Sequence, residues 1–456
     1  MIELETDWLC SNPAFYRQDT GQVSRSWIWP HGSLSVEDFD PEGLFNYLEF
    51  GYSVYGQTPD KNVKMLEPCS TISQDHDGQL RIKTHEDPFF KYIDTKHQEN
   101  EIFELVRAKV RAWEKNLPSD KPIVLPLSGG YDSRILLWAI KDKERVRAYS
   151  YGVSTHQSRS YEVLRAKALC ESLGVKWKHI PLGHYHNFIE QWIRQYGLSV
   201  HAHGLYHCEF YQKIREDLGQ DGALLSGIFG DVWAGSIELQ SIRSAEDLVK
   251  LGYRHGMHAD SSASLLPRSQ SLRNEYWNKS KGHMDDFRFQ IVSTVRLKMI
   301  LISYLLRTPA MFGLSAWSPF TDPQVALAML NIPKERRQNR IWQAEFFERE
   351  NLNVERKFLA ENLTNNLNFQ ALKASPLSHL DTQAFDGLIC RDYIRWINRN
   401  ISLTTLNRLQ IALYSHRSAG GLLKRAGLPS SVRAAYSAYL CLKPIEQALS
   451  TNETRP

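Results

Sequence analysis

An apolar run, Ile123-Val124-Leu125-Pro126-Leu127, stops at Ser128-Gly129-Gly130 and reopens as a helical stretch from Ser133 to Lys141. This junction constrains the fold more than composition does. The chain must turn without side chains in the way and leave a helix N-terminus at the carboxyl end of a strand. The same alternation continues downstream: Arg147-Ala148-Tyr149-Ser150-Tyr151 reads as strand, Tyr161 to Leu173 as helix, Lys178-His179-Ile180 as strand, Tyr206 to Leu218 as helix and Ala223-Leu224-Leu225 as strand. Such alternation predicts an α/β domain with a doubly wound parallel sheet, in which ligands sit beyond the carboxyl ends of the strands.

The flanks differ in texture. Up to about residue 95 the chain is rich in aromatic residues, Gly, Pro and Asp, with short strand-like pieces such as Gln79-Leu80-Arg81-Ile82-Lys83, so a small β-rich domain is expected over 1–97. Ile102, Leu105, Val106, Val110 and Trp113 recur at helical spacing between Gln98 and Lys115 and open a second unit, 98–350. Patterning beyond residue 240 is mostly helical, and 351–456 reads as a helical C-terminal extension.

Composition serves to exclude. A net charge of +4 over 456 residues is too small to argue by itself for a nucleic-acid or membrane surface, and no nucleic-acid partner is expected. Met299 to Leu306 is stopped by Arg307, well short of the ~20 apolar residues that cross a bilayer, so no membrane span is expected. The opening Met-Ile-Glu-Leu-Glu-Thr-Asp lacks the basic and apolar regions of a signal peptide, which predicts a cytoplasmic protein. Six dispersed cysteines without a Cys-x-x-Cys read as reduced, mostly structural thiols.

Leu127-Ser128-Gly129-Gly130-Tyr131-Asp132-Ser133-Arg134 carries the chemistry. The Ser128 and Ser133 hydroxyls and the loop amides can donate to phosphate oxygens, and the helix dipole favours negative charge there. A tight strand-to-helix turn with no ligand is the plainer alternative. The lysine of the Gly-x-x-x-x-Gly-Lys-Ser/Thr loop is absent, and a carboxylate at Asp132 repels phosphate unless a cation lies between them, which implies Mg²⁺.

The loop resembles the Ser-Gly-Gly-x-Asp-Ser signature of N-type ATP pyrophosphatases, enzymes of the adenine nucleotide alpha hydrolase-like fold that cleave ATP to AMP and pyrophosphate while activating a substrate oxygen. Ser226-Gly227-Ile228-Phe229-Gly230-Asp231-Val232-Trp233-Ala234-Gly235 resembles the Ser-Gly-x-x-x-Asp-x-x-x-Gly loop of asparagine synthetases, and Gly313 to Asp322 is similar to that family's later Pro-Phe-x-Asp segment. The likeness covers roughly residues 100 to 350, with a weaker echo in Tyr47 to Pro68, and the second loop is most similar to asparagine-synthase-related proteins of surface-polysaccharide biosynthesis. It implies ATP and Mg²⁺ as cofactors. Ser128, Gly129, Gly130, Asp132 and Ser133 would form the pyrophosphate loop, the backbones of Leu127 and Tyr151 would contact the adenosine, and Ser226 and Gly227 would complete the nucleotide site. Asp132 and Asp231 would hold the metal, although a helix cap is the alternative for Asp231.

Departures from the family carry their own expectations. Ile2 stands where glutamine-dependent members have a nucleophilic cysteine, Cys10 is in no matching context, and 1–97 is short for a glutaminase, so it reads as a remnant without a nucleophile. Nitrogen is then expected from ammonia, from a separate glutaminase or from an amine on the acceptor. Ile228 replaces the family's Glu, Ser315 and Trp317 replace a Glu and an Arg, and Arg340 stands for the catalytic Lys, keeping the charge but not the point-like ammonium, with a surface arginine as the alternative.

Other clusters carry less. His201, His203 and His207, with His184 and His186 nearby, have the ring nitrogens of a metal site but not the spacing that puts three ligands on one face, so pocket or surface histidines are expected. Arg417 to Arg425 reads as a basic helix start, and the Trp and Tyr content suits core packing with room for a carbohydrate surface. The expected activity is ATP-dependent, AMP-forming amide synthesis on a small-molecule or glycan carboxylate, a sugar acid in polysaccharide or nucleotide-sugar biosynthesis. A lactam cyclase of the lasso-peptide or β-lactam type and an inactive scaffold are the alternatives.

Overall fold

The computed structural model describes residues 2–75, 79–237, 240–252, 256–354, 365–415, 417–425, 427 and 430–450. The N-terminal part holds two three-stranded antiparallel sheets built from β1 (Ile2–Glu5), β2 (Phe15–Arg17), β3 (Val23–Ser24), β4 (Val63–Met65), β5 (Ser70–Gln74) and β6 (Leu80–Thr84), in the orders β1-β5-β6 and β3-β2-β4. It also contains a helix that the β-rich reading omits, Pro41–Phe50, started by an Asp40 carboxylate that accepts from the Gly43 amide at 2.7 Å.

The central sheet is parallel throughout, with five strands: β7 (Ile123–Pro126), β8 (Val146–Ser150), β9 (Lys176–His179), β10 (Gly222–Leu225) and β11 (Leu314–Trp317), in the order β11-β10-β7-β8-β9. The two strands either side of the reversal, β7 and β10, are buried almost throughout, and both are continuous apolar runs in the sequence. The chain winds from β7 outward through β8 to β9, then crosses back to β10 and β11. The loops after β7 and β10 therefore diverge at the topological switch point, where open α/β sheets bind ligands.

The expected strands and helices of this domain are present within a few residues. Two elements were not expected. The edge strand β11 buries only Leu314 fully, so its pattern carries no strand signal, and the helix Ile189–Tyr196 fills the β9-to-β10 crossover.

Helices Leu367–Ala374, Arg391–Ile401, Thr405–Ser415, Arg417–Arg425 and Ser431–Leu449 close the C-terminal region. The last helix runs deep into the molecule: Tyr439, Leu440, Cys441, Leu442 and Ile445 are buried in the same continuous core as Trp8, Leu125 and Trp342. Among the described residues no single helix is long and apolar enough to cross a membrane.

Candidate active site at the β7 and β10 loops

The turn after β7 depends on Gly129, whose φ of +68° is left-handed and whose Cβ, if it had one, would lie 2.4 Å from Cβ of Arg165. Arg134, wholly buried on the following helix Tyr131–Ala139, donates from Nη2 to the Gly129 carbonyl at 2.6 Å. Its guanidinium lies over the rings of Tyr131 and Phe347, at 5.2 and 5.0 Å, so the turn is braced from behind. In front, the hydroxyls turn back weakly on the loop: Ser128 Oγ accepts from the Gly130 amide and Ser133 Oγ donates to the Gly130 carbonyl, each at 3.4 Å. Bonds that long are readily exchanged for a phosphate.

The loop after β10 packs onto the first. A Cβ on Gly230 would fall 2.7 Å from Cγ of Asp132, so a glycine there is what lets the loops meet. Phe229 is held at φ +69° and buried against Trp233, with ring centroids 5.9 Å apart. A bulky residue in that region costs on the order of 1–3 kcal/mol and marks a site that the surrounding structure over-determines. Asp231 precedes a π-helical turn, Val232–Ser236, but its side chain makes no capping bond to it.

Asp132 and Asp231 are thus brought together, with the Asp231 amide donating to the Asp132 carboxylate. Asp132 Oδ1 is buried without a hydrogen-bond partner among the described residues, and the Arg340 Nη1 stands 4.0 Å away. Burial and then the charge of Asp231 push the Asp132 carboxyl up from 3.8 to about 7, against the pull of Arg340 and the amide. A buried carboxylate whose ionisation a neighbouring one opposes, with an oxygen that lacks a hydrogen-bond donor among the described residues, fits a hard divalent cation, and the two could hold Mg²⁺.

Arg340 follows Asn339, both at left-handed φ (56° and 53°), and this turn lays its guanidinium over Tyr131 at 5.0 Å. Lys298, half-buried on the helix Phe287–Ile302, feels Asp231 electrostatically. Burial lowers its ammonium pKa while that carboxylate raises it. Sequence reasoning missed Lys298, because one lysine in an apolar helix carries no motif.

The adenosine candidates lie on neighbouring strand ends. Leu127 commits its amide to the Tyr149 carbonyl at 2.8 Å and its carbonyl accepts from the Ser150 hydroxyl. Tyr151 turns its ring away into Phe210, Tyr206 and His207. Ser226 is tied to β11 by its amide, which donates to the Trp317 carbonyl at 2.8 Å, and Gly227 rests on Asp132, where a Cβ would be 3.3 Å from the aspartate Cβ.

A family model for asparagine synthase matches residues 105–363, more than half of the chain. The chain belongs to the asparagine synthase family. Over 141 residues it is 29% identical to the glutamine-hydrolyzing asparagine synthetase 1 of Bacillus subtilis (strain 168), covering 30% of this chain and 22% of that protein. The chain therefore spans about a fifth of the length of the curated relative it matches. A solved NH3-dependent NAD synthetase from Campylobacter jejuni subsp. jejuni NCTC 11168, in complex with the nitrate ion, is 16% identical and covers 46% of this chain and 96% of its own, at a TM-score of 0.24.

Within this asparagine synthase-type domain, Ile228 is buried in the core, and Trp317 stacks on Trp113 at 5.5 Å. Two positions at which the resemblance implies charged residues are therefore apolar here. The histidines are packing residues: His201 stacks on His203 at 4.5 Å and pairs through Nδ1 with the Gly51 carbonyl at 2.6 Å. His207 lies among Tyr151, Tyr211 and Tyr304, where burial pushes its pKa down to about 3. Five of the six cysteines are buried and all six are free. A cavity of about 1020 Å³ opens between the C-terminal helices and residues 256–261, with the parallel rings of Tyr393 and Trp396, 5.7 Å apart, in its wall beside Tyr436, Glu49 and Asp260. Asn366 in its rim donates to the Val153 carbonyl at 3.0 Å, just beyond β8.

Proposed function

We propose that the chain is an ATP-dependent carbon–nitrogen ligase that forms AMP and pyrophosphate while joining a carboxylate to ammonia or an amine, from a separate glutaminase or from the acceptor. The observation that carries this reading is the meeting of Asp132 and Asp231 at the switch point, with the Asp132 Oδ1 buried and, among the described residues, without a hydrogen-bond partner. Mg²⁺ held there would neutralise charge on the leaving pyrophosphate. The amides of Gly129 and Gly130 and the hydroxyls of Ser128 and Ser133 grip the β- and γ-phosphates. Arg340 and Lys298 add positive charge near the two aspartates, and Arg340 stabilises the pentavalent α-phosphorus as the bound carboxylate attacks it. The neutral amine then attacks the acyl carbon, the carbon–oxygen bond to phosphate breaks, and AMP leaves with the electron pair while the amine gives up its proton. Ile228 leaves the second loop without the family's carboxylate, which suits an amine that arrives deprotonated.

For the acceptor we infer a sugar carboxylate. The cavity beyond β8 supports this, since flat aromatic rings beside carboxylate and amide groups suit a hydroxylated ring. Incubation with ATP, Mg²⁺ and uronic acids, with and without ammonium, tests the reading by chromatography of the nucleotide. AMP that depends on both acid and amine is expected; ADP with phosphate would end the proposal.

A further inference from the structure

Arg307 is 8% exposed, and among the described residues no ion pair joins its guanidinium to a carboxylate. Nη2 donates to the Arg25 carbonyl at 2.7 Å and the group lies over Tyr196 at 4.8 Å, but Nη1 has no hydrogen-bond partner among the described residues. Burial acts against its charge, and the nearby guanidinium of Arg25 is unfavourable as well. Glu5 and Asp7 act on Arg25 instead. A buried cation without a counter-charge costs several kcal/mol, and an anion arriving beside it would offset part of that cost.

Arg307 and Arg25 line a cavity of about 310 Å³ with Gln195, Trp317, Ser318 and Thr321. It lies at the carboxyl end of β11, and its Trp317 wall is bonded through its carbonyl to Ser226 of the second loop. From β7, which carries the phosphate loop, β11 is two strands away, roughly 10 Å at about 4.8 Å per strand. A carboxylate that is adenylated must reach the phosphate loop, and it loses its charge when it reacts. The group that Arg307 awaits is therefore a different one, charged from binding to release.

We propose that this cavity anchors a carboxylate that stays ionised throughout the reaction, gripped by the Arg307 fork with Arg25 behind it. The group is either the second acid of the acyl substrate or the carboxylate of an amine co-substrate of amino-acid type. The proposal rests on the ligase reading for its role in turnover but not for binding, so binding is measured without ATP. The probes are glutarate, glycine and inorganic phosphate, titrated into the full chain by calorimetry. At least one of the two organic acids should bind, more tightly than phosphate. Its affinity should fall at least tenfold both in Arg307→Met and in Ala316→Leu, which fills the cavity and leaves the guanidinium in place. Tighter binding of glutarate names the acyl substrate as the source, and tighter binding of glycine names the amine. No binding of either acid at about 10 mM, tighter binding of phosphate, or unchanged affinity in Ala316→Leu would overturn the proposal. ADP in the turnover assay would remove the ligase reading and leave the anion site standing, whereas AMP formation unaffected by Ala316→Leu would remove the anion site alone.

Discussion

Asp132 combines an oxygen without a hydrogen-bond partner among the described residues, an opposing carboxylate and a guanidinium 4.0 Å away, and on the proposed ligase reading it holds the metal. Asp132→Asn and Asp231→Asn should each lower the AMP-forming rate by at least about a hundredfold, the scale seen when one preorganised electrostatic group is removed. The double variant should be little worse than the poorer single one, because groups that act as a unit are not additive. Melting curves provide the control: Mg²⁺ with a non-hydrolysable ATP analogue should raise the wild-type midpoint and leave those of both variants unmoved. Losses of only a few-fold with the Mg²⁺ dependence intact would take the metal away from these residues. Arg340 belongs to the same scale. Arg340→Met should cost about a hundredfold in turnover and Arg340→Lys less, since an ammonium keeps the charge and loses only the fork. Equal rates for Lys and Met would make the charge irrelevant.

At the level of elements, the legible parts of the sequence were those with a period or a motif. β7 and β10 are unbroken apolar runs, the helix Tyr161–Leu173 ends on a left-handed Gly174, and the loops after both strands are spelled out in glycine and aspartate. What stayed hidden was set by tertiary contact. β11 is an edge strand whose Ser315 faces outward, Lys298 acquires meaning only from Asp231 across a loop, and Arg307 only from the cavity it lines. His186 is a third such residue. Its Nδ1 donates to the Ser375 carbonyl at 2.7 Å, which leaves Nε2 to accept from the Tyr436 hydroxyl at 2.8 Å, so one ring pins two C-terminal helices to the α/β domain. Burial pushes its pKa down to about 4, against the opposing pull of the carbonyl and Glu209. A base whose folded pKa is depressed contributes stability that is complete above its unfolded value near 6.5 and lost as pH falls toward 4. The unfolding free energy from urea titrations should therefore drop between pH 6.5 and 4 by roughly 3 kcal/mol more in the wild type than in His186→Gln, which cannot titrate. At pH 7 that variant should be about 1–3 kcal/mol less stable for its lost buried bonds. Parallel pH profiles for the two proteins would show that the ring does not stay neutral when folded.

For the molecule as a whole, the three regions read from the sequence share one core, and their seams bear directly on the site. Trp8 stacks on Trp233 of the second loop at 6.2 Å and donates from Nε1 to the Thr321 carbonyl at 2.7 Å, so the N-terminal part braces the turn that carries Asp231. At the other end of the chain, the helix Ser431–Leu449 accepts at its Leu440 carbonyl from the Ala202 amide, at Cys441 from the Tyr47 hydroxyl and at Ala448 from the Leu34 amide, at 3.1, 3.1 and 2.8 Å. A helix that supplies buried side chains and hydrogen-bond acceptors to both other regions cannot melt alone without leaving their polar groups unsatisfied in an opened core. Calorimetry of the full chain should accordingly give one transition, with the van't Hoff enthalpy close to the calorimetric one, in place of the three that independent domains would show. A chain ended at Ser430 should fail to give that transition. Trp8→Ala should shift the whole transition downward by the equivalent of about 3–5 kcal/mol, as large-to-small changes in cores do. If the truncated chain instead melted cooperatively and still formed AMP, the last helix would be an accessory, and the shared core would not be what holds the two aspartates in register.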